Sequence, residues 1–145
     1  MAAVEGLDRD ITYKEYVIKG DRRYAETHEW IKIIEGRRAR IGISDYAQKK
    51  LKSVVYVEPV ETPKELKKGE LITTVESIKA VGEIYAPVDC VVIAYNSKLD
   101  EDPGVINTDP YGEGWIVEVE VKDPKDIEGL LTAMQYVEEV LKKEE

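Results

Sequence analysis

Apolar and polar positions change rhythm several times along the chain. From Tyr24 onward, apolar-rich runs at Trp30 to Ile34 and Ala39 to Ile43 flank Glu35-Gly36-Arg37. That pattern predicts a hairpin, because glycine tolerates the positive φ of a tight turn. Ser44 before Asp45-Tyr46-Ala47-Gln48-Lys49-Lys50-Leu51 predicts a short helix with a capping hydroxyl and an acidic first turn. A strand is expected at Ser53 to Val57, then a loop punctuated by Pro59 and Pro63. Runs at Glu70 to Ser77 and Val81 to Ala86 bracket a gap of a few residues, so they read as a hairpin with Lys79 at or near its tip. Cys90 to Tyr95 is a further strand, Pro103-Gly104 a loop, and Trp115 to Val121 alternates apolar and acidic residues as a half-buried strand does.

The ends read differently. Residues 1–22 are polar and mixed and are expected to form an N-terminal extension with one edge strand around Ile11 to Ile18, leaving residues 23–145 as the main domain. Near the C-terminus, Pro124 opens a helical turn and Thr132 with Gln135 forms a capping-box pattern. Leu130, Met134, Val137 and Leu141 recur at helical spacing, which predicts an amphipathic helix packed on the β structure. Many short strands with a helix appended give a mainly β fold class, a small closed or sandwiched structure with short helices.

Composition narrows the function. At 145 residues, with 43% hydrophobic and 35% charged positions, the chain can bury a core and is expected to be globular. The net charge of −9 opposes a phosphate backbone, so nucleic-acid binding is disfavoured, while docking onto basic partner patches is favoured. No apolar run has the length of a membrane span. The start Met1-Ala2-Ala3-Val4-Glu5-Gly6 lacks a secretory pattern, so a cytoplasmic location is the expectation. The single cysteine, Cys90, sits among Val88, Val91 and Val92 and reads as a core residue. Asp100-Glu101-Asp102 is an acidic loop that fails calcium-loop spacing, because Pro103 interrupts it and Gly104 falls one place early. Gly112-x-Gly114 lacks the third glycine of a dinucleotide fingerprint. No zinc spacing or metal site is expected, and no catalytic constellation can be assigned around His28, the only histidine.

The informative segment is Val75-Glu76-Ser77-Ile78-Lys79-Ala80-Val81-Gly82-Glu83-Ile84-Tyr85-Ala86-Pro87. Read alone, Lys79 is a solvated lysine on a hairpin. The segment resembles the lipoylation site of the glycine cleavage system H proteins, with Glu-Ser-x-Lys-Ala, a following acid and aromatic-x-Pro. The resemblance extends to Tyr24 with Thr27-His28-Glu29-Trp30, to Gly42-Ile43-Ser44-Asp45-Tyr46-Ala47-Gln48, and to Pro103-Gly104, Asn107 and Asp109-Pro110-Tyr111-Gly112-Glu113-Gly114-Trp115. These motifs occur in order from Tyr24 to the C-terminal helix.

The resemblance implies a barrel-sandwich hybrid, lipoyl-domain-like, with lipoic acid in amide linkage to Lys79. It implies a non-catalytic carrier that shuttles the aminomethyl group of glycine. Its implied partners are a pyridoxal-phosphate glycine decarboxylase, a tetrahydrofolate-dependent aminomethyltransferase, a flavin dihydrolipoamide dehydrogenase and a lipoate-attaching enzyme. Glu76 matches a position associated with recognition by that attaching enzyme. For His28, packing beside Trp30 is expected, with a place lining the groove of the loaded arm as the other reading. Two departures stand out. Pro63 replaces a usual glycine, and Asp89-Cys90 replaces a usual Ser-Gly, where a positive φ at cysteine would be strained and the turn is expected to shift. Other readings are a biotinyl carrier, which usually has methionines where Ile78 and Ala80 stand, a related lipoate-binding protein of sulfur oxidation, and an adaptor domain that has lost the cofactor.

Overall fold

The computed structural model describes residues 7–144. Met1–Gly6, the start of the expected extension and the stretch read for a secretory signal, lie outside the described residues, as does Glu145. Strands β1 (Ile11–Tyr13), β2 (Tyr16–Ile18), β3 (Arg23–Tyr24), β4 (Glu29–Glu35) and β5 (Arg38–Ile43) lead into helix α1 (Asp45–Leu51). Then come β6 (Val54–Val57), β7 (Lys64–Leu66), β8 (Leu71–Ser77), β9 (Val81–Tyr85) and β10 (Cys90–Tyr95). Two single-turn helices, α2 (Lys98–Glu101) and α3 (Val105–Thr108), precede β11 (Val117–Val121). The chain closes with α4 (Lys125–Glu128), α5 (Ala133–Tyr136), a π-helical turn Val137–Leu141 and α6 (Lys142–Glu144).

The protein is mainly β. A six-stranded antiparallel sheet in the order β3-β4-β5-β11-β10-β7 faces a three-stranded sheet, β6-β8-β9. Their inner faces share one apolar core, in which Ile31, Ile41, Val92 and Val119 of the larger sheet join Val57, Ile72, Val75 and Ile84 of the smaller. Alternation produces this layering: in β11, Val117, Val119 and Val121 are buried while Glu118 turns outward to pair with Arg38 at 2.7 Å. The β4–β5 turn carries Gly36 at φ 58°, as its sequence predicts. Ser44 caps α1 by accepting the Ala47 N–H at 3.1 Å.

A second apolar cluster joins Tyr16, Ile18, Tyr24, Trp30 and Tyr46 to the C-terminal helix through Ala133, Tyr136, Val137, Val140 and Leu141. Three sequence expectations change here. Residues 11–18 form a two-stranded hairpin, with Ile11 opposite Ile18, where one edge strand was expected. This hairpin is tied to α1, because the Val17 N–H donates to the Asp45 carboxylate at 3.0 Å. In the C-terminal helix, Met134 is half exposed, and the buried stripe runs through Ala133, Tyr136 and Val140 as well as Val137 and Leu141. Leu130 precedes the helix and packs in the main core instead. The π-helical turn breaks the uniform 3.6-residue period on which the expected stripe rested. The Thr132–Gln135 capping box is formed. Finally, the strand expected from Trp115 begins at Val117, and the Trp115 ring lies under the Arg40 guanidinium at 4.4 Å.

Cys90 opens β10 fully buried, and burial pushes its thiol up to about 11. No positive φ falls at Asp89 or Cys90, and the Asp89 carboxylate accepts the Lys68 N–H at 2.8 Å. The strain anticipated for cysteine therefore does not arise. Pro63 is exposed at the end of the loop that crosses from β6 in the smaller sheet to β7 in the larger.

Candidate functional site

The hairpin β8–β9 places Lys79 in solvent. Glu76 and Val81 are the last paired residues, and the turn between them is Ser77-Ile78-Lys79-Ala80, closed by the Ser77 N–H donating to the Ala80 carbonyl at 2.8 Å. Ser77 also organises the tip through its hydroxyl oxygen, which accepts the N–H groups of Lys79 at 3.1 Å and Ala80 at 3.0 Å. The Ile78 N–H donates to the Ser53 carbonyl at 3.0 Å, fastening the tip to the connection between α1 and β6. The backbone under Lys79 is thus pinned from both sides while its side chain projects. Its ammonium makes one bond, to the Lys50 carbonyl at 3.2 Å, in the last turn of α1. Around it, Ile78 is 72% and Val81 61% exposed, an unusual exposure for two aliphatic side chains side by side. Glu76 is exposed on β8, paired across the sheet with Tyr56 of β6.

A groove of about 250 Å³ opens beside this tip. One wall is α1, with Tyr46, Ala47, Lys50 and Leu51; the other is the outer edge of β9, with Gly82, Glu83 and Ile84. Lys50 belongs both to this wall and to the contact with Lys79, so the lysine stands at the mouth of the groove. Thr27, His28 and Glu144 complete the lining. Leu51 lies close enough to Gly82 that an added Cβ there would sit 3.3 Å from its methyls.

His28 is not packed beside Trp30, as its sequence position suggested. Its φ of 83° takes it out of the strand and turns its ring onto Tyr46, with centroids 5.1 Å apart. Nδ1 lies 2.7 Å from the Tyr136 hydroxyl, and Nε2 lies 3.1 Å from the Glu144 carboxylate. Burial lowers its pKa and the Glu144 charge opposes that shift, so the neutral imidazole is favoured in the fold. The next residue, Glu29, is fully buried, and its carboxylate accepts the Thr27 hydroxyl and the Tyr85 N–H, the latter at 2.9 Å. Desolvation raises its pKa against those bonds. Sequence reading missed Thr27, Glu83 and Glu144 as lining of one groove, since they come from separated segments and each looks like an ordinary polar residue.

Among the described residues, no group of three or more His, Cys, Asp or Glu side chains is placed to hold a metal ion, and no helix is long and apolar enough to cross a membrane.

The fold and this site define a class: a small two-sheet β domain that presents one lysine on a pinned hairpin tip beside a groove. Comparison with known proteins identifies which member of the class it is. The family description "Glycine cleavage H-protein" matches residues 22–144. The chain is 45% identical over 139 residues to a probable glycine cleavage system H protein of Aeropyrum pernix, covering 96% of each chain. It is 45% identical over 129 residues to glycine cleavage system H protein 4 of Aquifex aeolicus, covering 89% of this chain and 75% of that one. The crystal structure of a glycine cleavage system H protein from Mycobacterium marinum superposes with a TM-score of 0.75 at 35% identity, over 84% of this chain and 98% of that one. The chain belongs to the glycine cleavage H-protein family.

Proposed function

We propose that this protein is the lipoyl carrier of a glycine cleavage system, with lipoic acid joined by an amide to Lys79. The observation that carries the reading is the placement of Lys79: exposed, on a rigid turn, at the mouth of a groove lined by carboxylates. The residues present fit the group. The amine is exposed, so acylation removes a charge that, among the described residues, one carbonyl contact holds. Bound there, the lipoyl group would supply a disulfide, the two-electron acceptor that decarboxylation of glycine requires as the aminomethyl fragment is taken up; the dithiol left after that fragment departs is what the flavin dehydrogenase reoxidises.

What this chain's residues do follows from their positions. The Ser77 and Ser53 bonds fix the base of the arm, and a tether on a fixed base keeps its far end at high effective concentration for each docked partner. Leu51 and Ile84 offer apolar contact for a hydrocarbon stem within the groove, and the Glu83 carboxylate offers a negative group for a cationic end. No catalytic role is assigned to the chain itself. Its partners are the pyridoxal-phosphate decarboxylase, the folate-dependent aminomethyltransferase, the flavin dehydrogenase and the lipoate-attaching enzyme, and its location is the cytoplasm. The exposed Ile78 and Val81 give those partners an apolar foothold, and the charge of −9 directs the protein toward basic surfaces.

The test is a decarboxylase assay, following exchange of labelled bicarbonate into glycine with the lipoylated protein as co-substrate. Saturable support of exchange that weakens as salt rises is the expected result. No support at any concentration overturns the carrier role, and a flat salt response removes the electrostatic part of docking.

Glu76 acts in the proposal as a recognition residue for the attaching enzyme. It is exposed, three positions before Lys79, and its removal leaves the hairpin pairing and the Ser77 bonds in place. Glu76→Ala is expected to slow lipoyl attachment at least several-fold with an unchanged unfolding midpoint, measured by a mass time course. Equal rates for variant and parent count against the role.

A further inference from the structure

Helix α1 works on two faces. Tyr46, Ala47, Lys50 and Leu51 fall on one side at helical spacing and form the groove wall. Asp45 and Lys49, one turn apart on the opposite side, are both held by the β1–β2 hairpin. The Asp45 carboxylate accepts the Val17 N–H at 3.0 Å, and the Lys49 ammonium donates to the Glu15 carbonyl at 2.6 Å. A helix of seven residues does not stand by itself in water, so what packs on it sets its position. On the side away from the groove, that support is the hairpin.

Tyr16 carries the contact through to the groove. It is buried at the start of β2, and its ring meets that of Tyr46 edge-on, with centroids 4.8 Å apart. The Tyr46 ring in turn stacks on His28, and the Lys50 ammonium lies 5.2 Å over it. A row of three rings thus runs from the hairpin into the groove lining, with Tyr16 at its outer end. The hairpin has anchors of its own besides α1. Ile18 is fully buried in the second apolar cluster, the Tyr111 hydroxyl donates to the Val17 carbonyl at 2.7 Å, and the Tyr24 hydroxyl donates to the Lys19 carbonyl at 2.7 Å. It therefore backs α1 as a fixed abutment. It also precedes residues 22–144, the stretch that matches the family, so this groove wall has a support that lies outside the family match.

We propose that Tyr16, presented by the β1–β2 hairpin, is a positioning residue for the carrier's task. By backing Tyr46 it holds the α1 wall against β9 and keeps water from the load on the Lys79 arm. The proposal rests on the lipoyl-carrier reading. Water that reaches the aminomethyl load destroys it. The carbon–sulfur and carbon–nitrogen bonds break, the water oxygen becomes the carbonyl oxygen of formaldehyde, and ammonium departs from an arm left as a dithiol. Carbon keeps its oxidation level, so no oxidant or reductant takes part.

The test compares the full-length parent with Tyr16→Leu, which keeps apolar volume and loses the ring edge, and with Tyr16→Phe, which keeps that edge. In the unlipoylated proteins, hydrogen exchange at the amides of Lys49, Lys50 and Leu51 and the ring signals of His28 report on the wall itself. The lipoylated proteins are loaded by the decarboxylase from glycine labelled with ¹³C at its methylene carbon and then separated from it. The decay of the methylene signal gives the lifetime of the load. All are read well below each protein's unfolding midpoint. In Tyr16→Leu, exchange at α1 is expected to rise and the load to be lost about fivefold faster, the size of one aromatic pair, while Tyr16→Phe matches the parent. Lys49→Met, a partly exposed change that releases the Glu15 carbonyl from α1, is expected to move both readouts the same way. A change in one readout without the other overturns the positioning role, as does no change in either, and both results leave the carrier reading standing. A parent that takes no load from the decarboxylase overturns the carrier reading and the proposal with it. Tyr16→Leu leaves the backbone bonds of Glu15 and Val17 in place, so the variant is expected to fold.

Discussion

Replacing Lys79 with arginine is expected to give a folded protein that accepts no lipoyl group. Attachment needs an amine that can lose its proton and attack an activated acyl carbon, and a guanidinium stays protonated and is no such nucleophile. The fold should not notice the change. Lys79 is exposed, its ammonium makes one bond to a backbone carbonyl, and the turn is closed by the backbone and hydroxyl of Ser77. Lys79→Arg should therefore match the parent in circular dichroism and thermal unfolding, while intact mass after co-expression with an attaching enzyme shows no lipoyl increment. Support of decarboxylase exchange should vanish with it. A lipoyl increment on the variant would place the attachment point elsewhere in the chain.

Trp30→Ala carries the largest expected cost to stability. Trp30 is 1% exposed on β4, and its indole N–H donates to the Pro110 carbonyl at 3.0 Å. The Arg22 guanidinium stacks on its ring at 4.5 Å. Gly42 faces it across the β4–β5 pair, where an added Cβ would sit 2.6 Å from the ring, so strand and indole are matched in shape. Truncation leaves a cavity, an orphaned carbonyl and an unstacked buried guanidinium at once. Loss of a buried tryptophan costs about 4 kcal/mol, and these additional losses push in the same direction. Urea unfolding should show that decrease. A change below about 1 kcal/mol would mean the β4–β5 sheet and the C-terminal cluster relax into the space, against the close packing described.

Local rules made much of this fold legible. Gly36 marked the β4–β5 turn, Ser44 marked the start of α1, and the alternation of Val117 to Val121 marked β11 and its buried face. In each case a side chain's conformational preference or a period of two acts over a few residues. The position of Lys79 at a hairpin tip was also legible, from two β-rich runs around a short gap; its chemical reading needed the resemblance of the surrounding motif.

Where reading failed, the cause was non-local or a broken period. Strand β7 is three residues long inside a loop punctuated by prolines, and only its pairing with β10 defines it. Met134 stood on the expected apolar stripe, but the helix begins only at Ala133 and buries Ala133 and Tyr136 instead, so Leu130 and Met134 share no helical face. His28 sits two positions before Trp30, which in a strand would place both on one face, but its positive φ ends that relation. The groove itself joins residues 27–28, α1, β9 and Glu144, segments that no periodicity relates to one another.

The central claim is that Lys79 carries lipoic acid, and the most direct measurement is intact mass with peptide mapping on the protein isolated from its native cells. A single lipoyl-sized increment, mapped to the peptide containing Glu76-Ser77-Ile78-Lys79-Ala80, is the predicted result. An unmodified Lys79, in cells where other proteins are lipoylated, would contradict it.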